Sequence, residues 1–197
     1  MSKKYIGPVV AALLLVTASA CTGTGEAGKP NPEPPTTTAT SQATKKLPAR
    51  PADLKVTGVE PCKLLTADQM KQVKIAEGSS QQSKMVDSTP MPACFFSNNL
   101  TYSYLAVLAT NKGVDYWLTE GGNVTADVID VAGYGAAEIK LVGVDAVDCA
   151  VAVDVAEGQQ LIVDYKPDSA VKETQQQLCD KAKKAAGLAL DTLKTLK

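Results

Sequence analysis

The chain has 197 residues, enough for one domain plus a tail, and its hydrophobic content of 45% suits an ordinary globular core. A net charge of −1 and a pI near 5.5 supply no bulk attraction to nucleic acid or to an anionic membrane, so no nucleic-acid partner is expected. Histidine is absent, which excludes Ser-His-Asp and Cys-His catalysis and histidine-ligated zinc.

Lys3 and Lys4 open the chain and are followed by the apolar run Ile6 to Val16. That run is shorter than the roughly 20 residues that span a hydrocarbon core. Charge, apolar stretch and then small residues are instead the marks of an export signal, which assigns residues 1–20 to a signal peptide. Ser19 and Ala20 lead directly into Cys21, an arrangement that resembles a bacterial lipobox, although Ala18 stands where leucine is usual. On this reading Cys21 becomes the first residue and its thiol carries diacylglycerol, each buried methylene holding the anchor by about 0.8 kcal/mol. The competing reading is plain secretion, with cleavage after Ala18 or Ala20. The expected location is the extracytoplasmic face of the cell membrane, with the lipid rather than charge making the membrane contact.

Residues 21–55 are rich in Thr and Pro, with Pro30, Pro32, Pro34, Pro35, Pro48 and Pro51. Such a segment buries too little apolar surface to offset chain ordering, and it is expected to be a disordered tether. Residues 56–197 are expected to form a single domain. Thr66 and Gln69 make a capping-box pattern that starts a short helix ending near Val73, with Leu65, Met70 and Val73 facing inward. Gly78 to Ser83 reads as a polar loop, and Pro90 and Pro92 bracket another.

From Phe95 the period changes to two. Asn98-Asn99 marks a hairpin turn into the strand Thr101–Ala109. A short helix over Gly113–Thr119 carries Tyr116 and Trp117. Val124–Val131 is a strand, Gly133-Tyr134-Gly135 a tight connection, and Ala136–Val142 a further strand. Gly133-Tyr134-Gly135 lacks the spacing of a phosphate cradle. Val147–Val155 alternates Val or Cys with Asp or Ala, and turns at Glu157-Gly158 into Gln160–Tyr165. Asp168-Ser169 is the expected cap of a long helix to about Leu196, whose stripe is Val171, Leu178, Ala182, Ala185, Ala189, Leu193 and Leu196. Gly187 is expected to weaken its middle. The fold class is α+β: an antiparallel sheet with a short N-terminal and a long C-terminal helix, packed mainly on one face.

With Cys21 lipidated, Cys62, Cys94, Cys149 and Cys179 remain, an even number too widely spaced for a metal knuckle. They read as two disulfides. Three connectivities exist. Cys62–Cys94 with Cys149–Cys179 is favoured, because each bond then joins a helix-like segment to a strand-like one.

Pro61-Cys62-x-Leu64-Leu65-Thr66, Cys94-Phe95-Phe96, the run Cys149-x-Val151-x-Val153-x-Val155 before Gly158-Gln159, and Cys179 in a terminal helix occur in that order. The pattern resembles an actinobacterial lipoprotein family known as domain of unknown function 3558. The resemblance implies an exported, disulfide-stapled envelope protein of a high-GC Gram-positive bacterium, and it implies no activity.

Asp145, Asp148 and Asp154 lack the spacing of a calcium loop, and Asp148 and Asp154 read as the solvated side of a strand. The lysines of Lys181-Ala182-Lys183-Lys184 read as a solvated helix face. Tyr116 and Trp117 are the candidate ligand-stacking pair, weighed against a tryptophan that simply anchors a core. No catalytic residue, metal or cofactor is expected. Two functional expectations follow: a non-catalytic binding or sensor module for a wall component, small ligand or envelope protein, or a hydrolase or transferase built on paired carboxylates.

Overall fold

The computed structural model describes residues 45–98, 101–119, 122–144 and 146–196. Expectations for the signal peptide, Cys21, the first part of the tether, Asn99 and Asp145 lie outside those residues.

Two reciprocal caps start the two principal helices. The Thr66 hydroxyl accepts the Gln69 backbone N–H while the Gln69 side chain accepts the Thr66 N–H, opening α1 (Ala67–Gln72). Thr174 and Gln177 repeat the device and open α3 (Gln175–Leu193). Asp168, the expected cap, instead closes a turn by accepting the N–H of Ala170. Two mutual bonds at Thr174 outweigh the single one that Asp168 offers, so Val171 stays outside the helix. Within α3, Leu178, Ala182, Ala185, Ala189, Leu190 and Leu193 are buried, and the helix runs through Gly187 without fraying. Leu196 lies beyond its end and is exposed.

Seven strands form one antiparallel sheet: β1 (Glu77–Ser83), β2 (Met91–Ser97), β3 (Tyr102–Ala109), β4 (Val124–Val131), β5 (Tyr134–Leu141), β6 (Cys149–Ala156) and β7 (Gln159–Pro167). Their order is β1-β2-β3-β7-β6-β5-β4, so two meanders meet where β3 pairs with β7. The domain is α+β, as the periodicity predicts.

β1 corrects the loop expected at Gly78–Ser83. It is an edge strand with nearly all of its side chains in solvent, and polar residues satisfy it as well as apolar ones. Pro92 lies inside β2, at a point where only β1 is paired to it, so its missing N–H breaks no second ladder.

One face of the sheet packs against α1 and α3 through Phe96, Tyr104, Leu108, Val151, Val153, Leu161 and Tyr165. The other carries a smaller layer, in which Val107, Ala137, Ala152 and Ile162 meet Val86, Val114 and Trp117. The four-residue α2 (Asp115–Leu118) supplies Trp117 to that layer. Being interior to the sheet and covered on both sides, β6 is buried throughout, so the expected solvated side of Val147–Val155 is absent and Asp154 is only 8% exposed.

The packed chain also begins before Val56. Lys45 donates to the carbonyl of Ala126, Pro48 lies against Gly135, Arg50 clasps Asp154, and the Leu54 N–H bonds Val155. Residues 45–55, expected as tether, belong to the domain because scattered Leu47, Pro48 and Leu54 find fitted sites. A Cβ on Gly135 would sit 2.8 Å from Pro48, which requires glycine there. Cys62–Cys94 ties the 3-10 turn Pro61–Lys63 to β2, and Cys149–Cys179 ties β6 to α3. No helix among the described residues is long and apolar enough to cross a membrane.

Candidate functional site

The smaller layer does not reach the end of the sheet where β1 starts and β7 finishes. There the pairing register lines up Glu77, Ser97, Ser103 and Lys166 as one cross-strand row. The next row on the same face is Ser79, Phe95, Leu105 and Asp164. Alternation along β2 puts Phe96 in the main core and leaves Phe95 outward, 37% exposed. A cleft of about 550 Å³ opens over this surface, walled by Tyr102, Pro167, Asp168 and Ser169. A second cleft of about 490 Å³ shares the Lys166–Ser169 wall and is lined beyond it by Val147, Val171, Lys172 and Glu173.

The first cleft has a defined polarity. Glu77 and Lys166 are three strand spacings apart, roughly 14 Å, with the Ser97 and Ser103 side chains between them. Phe95 supplies an apolar patch directly beside this polar row. Such a floor suits an elongated ligand with one polar edge and one apolar face.

Asp164 lies at the inner margin. Burial and, after it, the nearby Asp148 carboxylate push its carboxyl up to about 7 against a weaker downward pull from Lys166. Burial also raises Asp148 above the usual carboxylate range. The two side chains are diagonal neighbours on the sheet, roughly 7 Å apart by strand geometry. An unfolded aspartate titrates near 3.9, so the fold favours the protonated form of Asp164. Stability from this group is full at acid pH and is lost as pH rises through about 7. Asp164→Asn is therefore expected to gain up to about 4 kcal/mol over the parent at pH 8 and little at pH 4. Urea denaturation at both values checks this; equal effects at the two would remove the assignment.

Tyr116 and Trp117 are elsewhere. The Trp117 indole N–H donates to Gln160 at 2.7 Å, and the Gln160 amide donates in turn to the carbonyls of Lys112 and Gly113. Gln160 lies near the start of β7 and Lys166 near its end, a separation of about 20 Å along the strand. Trp117 thus helps fill the smaller layer, while Tyr116 stands edge-on to it at the surface, and neither borders the clefts described above. Phe95 and Tyr102 are the aromatic residues that border the first cleft, while Tyr116 is exposed away from it.

The lysine run is also divided. Lys181 turns inward, over the rings of Tyr102 and Tyr165 and onto Glu173, while Lys183 and Lys184 are exposed. Tyr165 donates its hydroxyl to Glu173, just ahead of α3, at 2.8 Å, and Lys181 of α3 donates to the same hydroxyl, closing a clamp between β7 and α3. Asp154 is held by two bonds from Arg50, yet burial still keeps its carboxyl above the ordinary range. Among the described residues, no three Cys, Asp or Glu side chains converge as a metal-ligand set.

A family model described as Protein of unknown function (DUF3558) matches residues 16–192. No curated protein and no solved structure matches the chain.

Proposed function

The chain belongs to the DUF3558 family of proteins of unknown function, and from that premise we propose that it is a non-catalytic binding module. It is displayed on the outer face of an actinobacterial membrane through diacylglycerol on Cys21. Its ligand is an elongated envelope component, a peptide or a glycan fragment, laid across β1, β2, β3 and β7. The observation that carries this reading is the row Glu77, Ser97, Ser103 and Lys166 beside exposed Phe95, floored by rigid strands and open as a cleft of about 550 Å³.

Saturation-transfer NMR with wall peptides and glycan fragments tests it. A fragment bound by the parent is expected to lose at least tenfold in affinity on Phe95→Ala and to keep it on Tyr116→Ala. The opposite pattern would move the site to α2 and overturn the proposal. Mass spectrometry of the N-terminal peptide tests the anchor separately.

One feature favours a second reading. Burial and the neighbouring Asp148 carboxylate push the Asp164 carboxyl up to about 7, and a raised carboxyl beside a second one is what a glycoside hydrolase uses as its general acid. Turnover of a glycan fragment that disappears in Asp164→Asn would favour this enzyme over the binding module.

A further inference from the structure

We propose that the exposed side chains of Val142, Val144 and Val147, between β5 and β6, seat on the lipid bilayer, so that the cleft end of the sheet faces the membrane. Val142, Val144 and Val147 are 53%, 58% and 41% exposed. They are three of the six large apolar side chains exposed among the described residues, and a fourth, Phe95, lies at the same end of the sheet. Gly143, at φ +74°, lets the chain turn between Val142 and Val144. Three valine side chains offer far less area than the roughly 800 Å² per partner of a stable protein interface, and a lipid surface is the occupant that so small an apolar set suits.

The path of residues 45–54 says where the rest of the chain leaves. Lys45 is fastened at Ala126, near the start of β4, and the chain then passes Gly135 and Asp154 toward the opposite end. Val124, the first residue of β4, pairs with Leu141, the last of β5, so the entering chain and the exposed valines share one end. This proposal rests on the reading of Cys21 as the lipidated residue. Twenty-four positions then separate the anchor from Lys45, which limits the distance between them to at most roughly 80 Å. A tether of that reach keeps the domain beside the bilayer, where a weak apolar contact suffices.

Charge does not drive the contact. Lys166 and Lys172 stand at this end with Glu77, Asp148, Asp168 and Glu173, a balance that gives no attraction to an anionic headgroup and leaves the contact to the valines. The lysine stems reach headgroup phosphates while the valines enter the acyl boundary.

The test uses the full chain, expressed with its own leader and purified from membranes. It is reconstituted into phosphatidylcholine–phosphatidylglycerol vesicles containing a phospholipid with a photoreactive acyl chain. Lipid adducts are expected on the peptide spanning residues 141–166, and to fall about tenfold when Val142, Val144 and Val147 are all changed to Ser. Trp117 fluorescence reports that the variant is folded. Adducts spread evenly over the domain, adducts unchanged in the variant, or cross-links between two copies through these valines would each overturn the proposal. The same digest separates the two readings. An acylated Cys21 without adducts on 141–166 sinks only the membrane contact, whereas an unmodified Cys21 sinks the anchor and the contact together.

Discussion

Arg50→Ala is expected to destabilise the domain by about 3 kcal/mol, well above the 0–1 kcal/mol that an exposed ion pair is worth. The size comes from the partner. Asp154 sits on the interior strand β6, 8% exposed, and Arg50 gives it two hydrogen bonds, at 2.9 and 2.7 Å. Removing the guanidinium strands a carboxylate among packed side chains, and that desolvation is what the fold must bear. Arg50 also bonds Asp53 and approaches Glu157, but those carboxylates are exposed and contribute little.

The pH dependence identifies the cause. Burial already raises the Asp154 carboxyl and Arg50 opposes that rise, so without Arg50 it climbs further. A group raised on folding stabilises at acid pH and loses that contribution as pH increases. Arg50→Ala is thus expected to be mild at pH 4 and severe at pH 8. Adding Asp154→Asn is expected to restore half or more of the loss, since the amide carries no charge. Chemical denaturation of the two single variants and the double variant supplies the cycle. A loss below 1 kcal/mol at pH 8, or no rescue by the amide, would show that residues 45–55 are not latched through this pair.

Changing both Cys149 and Cys179 to Ala is expected to cost about 3–4 kcal/mol, from the entropy returned to an unfolded chain with a 30-residue loop reopened. Both sulfurs are buried between β6 and α3, so no solvation gain offsets the loss. Against a stability of about 5–15 kcal/mol this is a large share, and it corresponds to a midpoint lowered by about 10 °C. Calorimetry of the double variant measures it, and a decrease under 3 °C would contradict the expectation. Cys62–Cys94 closes 32 residues and is expected to act with similar size on the other meander.

Much of the fold is legible in the residues because local signals agree with tertiary ones. The Thr66 capping box, the alternation of β6 and the small-residue stripe of α3 each point to one structure. Both disulfide pairs follow from the kinds of segment they join. The misreadings share a physical origin, since burial depends on neighbours that periodicity does not report. Asp154 looks like part of a wet face until Arg50 and a second layer cover β6. Gly78–Ser83 looks like a loop because an edge strand in solvent carries no apolar alternation. Arg50 and Leu54 sit in a proline-rich stretch that reads as tether, and only the complementary pockets on β6 and β7 reveal their place.

The candidate site was less legible. Phe95 is adjacent to buried Phe96, and which of two neighbouring aromatics faces out is set by the register of β2 against β1 and β3. Trp117 drew attention as the single tryptophan, yet its partner Gln160 lies 43 positions away and gives no sign in the linear chain. The polar row is assembled from four strands, and no spacing within one segment encodes it.

The disulfides join cysteines that are consecutive in order of synthesis among the four in the domain, Cys62 with Cys94 and Cys149 with Cys179. A polypeptide oxidised while it emerges, N-terminus first, reaches this connectivity by pairing each new thiol with the one waiting. Cys21, the one earlier cysteine in the sequence, would compete for Cys62, and the acylation proposed for its thiol would remove that competitor.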